Sequence, residues 1–178
     1  MATTGIYEIW PLTLGWERLP KSFSIHGDTS GETLVEPVGA LLLRTDSGWI
    51  LIDTGCNPAL IRDQPLYERL HGRNHRIVPI LPEGDGDPLL DALAARGLAV
   101  NDISEVVLSH LHNDHAGGLR HFAGRVPVTV QRAELEYGLA DHPFPSSTGC
   151  SASTSTIPST TGCSSKAMLS CALGCGQC

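Results

Sequence analysis

Six consecutive residues, His110-Leu111-His112-Asn113-Asp114-His115, gather three imidazoles and one carboxylate, and Ala116-Gly117-Gly118 follows at once. That density of donors marks a metal site. The preceding segment, Glu105-Val106-Val107-Leu108-Ser109, is short, apolar and β-branched, and reads as a buried strand that delivers His110 to the edge of a sheet. In an extended chain side-chain direction repeats every second residue, so His110 and His112 project to one side and can hold one ion. Asp114 and His115 come after the chain turns. They are expected to point elsewhere and to serve a second ion beside the first. Imidazole and carboxylate donors without thiolate suit zinc or a similar first-row metal in an open, catalytic site rather than a closed structural one. The other histidines, His26, His71, His75, His121 and His142, have no such spacing and are read as ordinary surface or core residues.

The flanks give the cluster a structural setting. Asp87 and Pro88 have the chemistry of an N-cap and a first helical residue, Leu89, Leu90, Leu93 and Ala94 form an apolar stripe, and Gly97 is a stop. The order is therefore helix, short loop, strand, metal cluster. Gly117 and Gly118 are expected to let backbone approach the metal ligands closely, where a Cβ would obstruct. Upstream, residues 38–43 and 49–52 read as two strands joined through Thr45-Asp46-Ser47-Gly48 into a hairpin that ends in Asp53-Thr54-Gly55. Asp53 has two readings, a simple Asx turn or a carboxylate that orients a metal ligand. Residues 6–10 and 126–130 are further strands, and residues 132–137 are a short helical stretch.

Taken together, Leu51-Ile52-Asp53-Thr54-Gly55, the strand at 106–109, the run at 110–118 and Val130-Gln131-Arg132-Ala133-Glu134 resemble the metallo-β-lactamase superfamily. Within it they look most like the N-acyl homoserine lactone lactonases, over approximately residues 6–140. The resemblance implies an α/β fold, the four-layer αββα sandwich with two zinc ions between its sheets, of which only the first half is present here. It implies that His110 and His112 bind one zinc, that Asp114 and His115 bind the other, and that Asp53 orients a ligand. Asp114 is also the implied catalytic residue. A metal-bound hydroxide would open the lactone ring of a small-molecule quorum-sensing signal, with Asp114 steering it and passing a proton to the leaving alkoxide. Fold and metal site do not fix the substrate, so hydrolysis of another lactone, an ester or a thioester stands as the alternative, as does an inactive truncated fragment that only binds metal. In such a family Trp10, Leu14, Trp16, Leu66, Tyr67 and Leu70 are candidates to line an acyl pocket, although ordinary packing accounts for most of them.

The family draws a further histidine, a metal-bridging aspartate, a last histidine and a tyrosine from its second half. Here no histidine follows His142, no acidic residue follows Asp141 and no tyrosine follows Tyr137. Those ligands have no counterpart, and fewer than two zinc ions are expected. From about Pro143 the composition turns to Ser, Thr, Gly and Cys with Lys166 as the sole charge, and five of the six cysteines lie there. The expected organisation is residues 1–142 as the N-terminal part of the domain and 143–178 as a non-native, disordered tail, from a shifted reading frame or a chimeric end. Cys171, Cys175 and Cys178 leave open a thiolate metal site or a disulfide framework. The net charge of −7 disfavours nucleic acid and anionic membrane as partners. No apolar stretch is long enough to span a bilayer, and no basic patch precedes an apolar core at the N-terminus, so cytoplasmic residence is expected.

Overall fold

A computed structural model describes residues 5–139; the tail, its cysteines and the boundary expected at residue 142 lie outside the described residues. The strands are β1 (Ile6–Pro20), β2 (Thr33–Thr45), β3 (Gly48–Ile52), β4 (Val78–Ile80), β5 (Ile103–Leu108) and β6 (Val128–Val130). They form one sheet in the order β4-β1-β2-β3-β5-β6. Pairing is antiparallel from β4 to β3 and parallel from β3 through β5 to β6. The helices are α1 (Lys21–Ser24), α2 (Pro58–Arg62), α3 (Gln64–His71), α4 (Pro88–Ala94), α5 (Asn113–Ala116) and α6 (Arg132–Leu139). This is a mixed α/β architecture, as the resemblance implies.

The hairpin reads as its sequence suggests. Thr45 Oγ1 accepts from Ser47 N–H at 3.1 Å and donates to Gly48 O at 3.0 Å, which closes the turn between β2 and β3. Along β2 the even positions Val38, Ala40 and Leu42 are buried, so one face of the sheet joins the core. That core contains Leu12, Leu14, Leu51 and Val106 from the sheet, and Leu89, Leu93 and Phe122 from the layer above it. Each such side chain contributes about 1.5–3 kcal/mol on removal from water, so the layer is held chiefly by its leucines.

Helix α4 begins where its chemistry says it should. The Asp87 carboxylate accepts from Leu89 N–H at 3.1 Å, with Pro88 as the first helical residue. The same carboxylate takes Arg120 Nη2 at 2.7 Å and His121 Nε2 at 2.9 Å, which ties the start of the helix to the chain beyond the metal cluster. Gly97 lies at φ 70 beyond the end of the helix, matching its reading as a stop.

Strand β1 departs from expectation. It runs to Pro20 rather than ending near residue 10, and its register against β2 shifts between Thr13 and Gly15. An extra residue at such a bulge exchanges the two faces of a strand, so the two-residue alternation breaks. Before it Leu12 and Leu14 face the core; after it Leu19 does, while Trp16 and Arg18 are exposed. Gly15 sits where a Cβ would come within 2.9 Å of the Ile80 carbonyl oxygen, so the approach of β4 requires glycine. The opposite face of the sheet is apolar and open. Ile9 pairs with Leu43, Pro11 with Leu41 and Trp16 with Pro37, and Ile9 and Val35 are each 58% exposed. Among the described residues no element covers that face.

Candidate metal centre

Two chain segments leave the parallel pair β3 and β5 at the same end. Asp53 N–H donates to Val107 O at 2.9 Å, so Asp53 is held against the last turn of β5 just before the cluster begins. Thr54 fastens the next step, its N–H donating to His115 O at 2.7 Å and its hydroxyl at 2.8 Å. Thr54 Oγ1 in turn accepts from Gly118 N–H at 3.1 Å. The glycines are needed because the loop carrying Thr54 passes so close: a Cβ on Gly117 would lie 2.2 Å from Asn57 N, and one on Gly118 would lie 2.5 Å from Thr54 O. The backbone they admit is thus that of residues 54–57.

Asp53 adopts φ 63, the one residue other than glycine with positive φ among the described residues. Such a conformation is tolerated by aspartate but persists only where contacts enforce it. Here they do. Oδ1 accepts from Ser109 N–H at 2.8 Å, and Oδ2 accepts from Ser109 Oγ at 2.8 Å and from His115 Nδ1 at 2.8 Å. The acceptors reach across to Ser109, just past β5, and to His115 in α5 rather than closing a local turn.

The cluster folds back on itself. The His110 ring stands 4.5 Å from that of His112 and 4.0 Å from that of His115, centroid to centroid. His115 therefore does not point away from the histidine pair, as the turn after the strand suggests. Residues 113–116 form α5, with His115 N–H and Ala116 N–H donating to His112 O at 3.0 and 2.8 Å, and one helical turn brings His115 against His110. His115 Nε2 lies 2.9 Å from Asp114 Oδ2. Its ring thus spans two carboxylates. Burial works against a charge on His115, but the hydrogen bonds and charges of Asp114 and Asp53 outweigh it and push its pKa to about 10. Burial also opposes charge on Asp53 and Asp114, and the bonds to His115 reverse the balance, holding both carboxyls below their ordinary value. His110 is shifted the other way, its pKa lowered by burial and then by its neighbours His115 and His112.

The chemistry of this donor set fits a divalent first-row cation. Three imidazoles and a carboxylate stand together, and the Asp53 bond to Nδ1 reserves Nε2 of His115 as the ligating nitrogen. Among the described residues no three such side chains are already drawn round a single point, and both nitrogens of His115 face carboxylates. Holding an ion requires the contact between His115 and Asp114 to open.

Other residues at the site had no role assigned from the sequence, although Glu134 lies in a segment that carries the resemblance. Glu17, turned inward by the bulge in β1, lines the same cavity as His112 and Asp114. Burial, and after it the charge of Asp114, raises its pKa to about 7. Cys56 is a free thiol whose pKa burial pushes up, with Glu17 and Asp114 adding to the effect. Glu134, at the start of α6, accepts Leu111 N–H at 3.0 Å and so pins the backbone between the two cluster histidines. Of the candidates for an acyl pocket, Tyr67 lines the cavity; Leu14 is core, and Trp10 stacks 5.0 Å from Trp49. His71 and His75, read as ordinary, also line the cavity, whereas His121 is engaged by Asp87.

Residues 34–147 match the metallo-beta-lactamase superfamily, and the chain belongs to that family. It is 36% identical over 108 residues to an N-acyl homoserine lactonase of Bacillus cereus, covering 61% of this chain and 42% of that one. It is 32% identical over 152 residues to an N-acyl homoserine lactonase of Agrobacterium fabrum, covering 78% of this chain and 53% of that one. Among solved structures, an N-acyl homoserine lactone hydrolase with the product N-hexanoyl-L-homoserine bound at its catalytic metal center superposes with a TM-score of 0.65 at 31% identity. That match covers 76% of this chain and 52% of the other. The chain spans about half or less of the length of these relatives. Among the described residues no helix is long and apolar enough to cross a membrane.

Proposed function

We propose that this chain is the metal-holding first part of a zinc-dependent hydrolase of the N-acyl homoserine lactonase type, acting on small lactones in the cytoplasm. One observation carries the reading: Asp53 and Asp114 hold His115 against His110, which itself stands against His112, at the end of β5 beside a cavity of about 200 Å³. The likeness to lactonases along most of this chain supports the substrate class. His110, His112, Asp114 and His115 are the proposed ligands, with two ions in the complete family and fewer here, and Asp53 is the residue that orients His115.

Zinc in such a site supplies a nucleophile at neutral pH and polarises the carbonyl that it attacks. The protein's own part begins with Asp53, whose bond to Nδ1 fixes the His115 tautomer. Glu134 and Thr54 hold the backbone on either side of the cluster, so the donors keep their spacing. Asp114, held as a carboxylate and facing the cavity, is placed to take a proton from the attacking group and return it to the alkoxide released when the ring opens. The free thiol of Cys56 is in keeping with a reducing compartment.

The deciding experiment measures zinc by elemental analysis on purified protein. Fewer than two ions per chain are expected, and none once His110 and His112 are both replaced by alanine. Zinc content unchanged in that double variant would show that other residues bind it. Product analysis with an acyl homoserine lactone, an aryl ester and a thioester separates the lactonase from the broader hydrolase.

A further inference from the structure

Between Arg69 and Arg76 the chain carries three arginines and two histidines with no acid, although its net charge is −7. None of these arginines enters the chemistry described above. The segment ends α3 and leads to β4, and its residues Arg73, Asn74 and Arg76, with Phe23 beside them, wall a cleft of about 350 Å³. That cleft shares Phe23, His71, His75 and Ile77 with the cavity lined by His112 and Asp114. The two spaces therefore adjoin.

Their walls differ in charge. Glu17 and Asp114 give the first cavity two carboxyls, whereas no acid lines the second, where Arg73 and Arg76 stand. Both arginines and Asn74 are exposed, so their donors are open to a ligand. Among the described residues Arg73 has one ion pair, a long one of 3.5 Å to Glu68 Oε2, and Arg76 has none. The Arg76 guanidinium lies over the Phe23 ring, 5.2 Å from its centroid. Attraction between cation and ring holds it there and leaves its N–H edge free for an acceptor. Two planar forks and an amide on one wall match the oxygens of a carboxylate or a phosphate. A plain alkyl chain gains nothing from them.

We propose that Arg73, Asn74 and Arg76 form a subsite for an oxyanion, a carboxylate or a phosphate, carried at the end of the acyl group remote from the metal residues, so that acyl groups with an anionic end are selected over plain ones. The charge of the walls sets the direction, since Glu17 and Asp114 repel the anion that the arginines attract. The subsite rests on the lactonase reading only for the head group that meets His112 and Asp114.

The test is calorimetric titration of the full chain, supplied with zinc, using probes matched in chain length. Adipoyl and suberoyl homoserine are compared with hexanoyl and octanoyl homoserine, and phosphonates of the same chains replace the terminal carboxylates in a further arm. A parallel set of N-methyl amides lacks the homoserine head. Binding about fivefold tighter or better is expected for the anionic end at low salt. The preference should shrink as salt rises to about 0.5 M and vanish in Arg73→Gln/Arg76→Gln. Whichever of carboxylate and phosphonate binds more tightly names the oxyanion. Both arginine side chains are exposed, so the double variant keeps its fold, with unchanged zinc content as the check. Preference among the amides while no homoserine binds would uphold the subsite and count against the lactonase reading. Equal affinity for anionic and plain ends at both chain lengths overturns the subsite. So does a preference that survives in the double variant, which would place the anion on the zinc instead.

Discussion

Asp53 is the residue on which the site turns, because it fixes three groups at once: the Ser109 amide, the Ser109 hydroxyl and His115 Nδ1. Loss of a carboxylate that orients a metal-binding histidine weakens metal affinity by about 10–100-fold. Asp53→Ala is expected to lie in that range by competition with a chromophoric chelator, and affinity equal to the parent would mean that His115 needs no anchor. The neutral His71 predicts a pH effect of definite sign. Its folded pKa of about 4 lies below the ordinary 6.5, so the folded state is favoured while the imidazole stays neutral. The contribution is intact above pH 6.5 and is lost as pH falls through about 4. Urea midpoints measured across this window should fall less steeply in His71→Phe than in the parent chain; parallel curves would show that His71 does not keep its charge off. At this scale much was legible in the sequence. The i, i+2 spacing singles out His110 and His112 without help, and Glu134 falls in a segment that carries the resemblance, whereas Glu17 is invisible, since a single acid in a strand looks like any solvated charge until the fold shows what it faces.

Elements were readable where side-chain periodicity and end chemistry agreed. Asp87-Pro88 announces α4, and the alternation of β2 announces its buried face. The bulge in β1 defeats the same reasoning, because one additional residue between Thr13 and Gly15 reverses which positions face inward, and the pattern beyond it no longer continues that of the strand before. Helices α2 and α3 escaped for a different reason. They are 5 and 8 residues long, too short for an apolar stripe, and only the Asn57-Pro58 and Asp63-x-Pro65 starts betray them. Asp87 offers a direct test of how elements are joined. Asp87→Ala removes the cap, at about 1 kcal/mol, and leaves Arg120 and His121 without their carboxylate, so a total near 3 kcal/mol is expected from denaturant unfolding. Asp87→Asn keeps the cap and should cost clearly less. Equal losses in the two variants would assign the whole effect to the ion pairs.

For the whole molecule, the governing fact is the open face of the sheet. Ile9, Trp16, Val35 and Leu41 lie on it, and broad apolar faces drive association. Light scattering should find the chain self-associated at micromolar concentration, and Val35→Lys with Leu41→Lys should return it toward a monomer while leaving zinc content unchanged. Turnover is a second expectation at this scale. Lactone opening needs both a nucleophile and an aligned carbonyl, and losses of each multiply in rate. Hydrolysis of acyl homoserine lactone is expected to stay at background for this chain with zinc supplied, and to appear when the second half of a relative is fused after residue 139. Zinc-dependent turnover by the chain alone, abolished in Asp114→Asn, would show that the residues present suffice. The parallel pairing of β3 with β5 also bears on the order of events in folding. Thr54 and His115 are 61 residues apart, and the entropy of closing that loop must be met before the core above the sheet can form. Were an ion held at His115, as proposed, it would reinforce the contact that closes it. Refolding of the chain is then expected to run faster with zinc than with a chelator present, and equal rates would show that loop closure owes nothing to the ion.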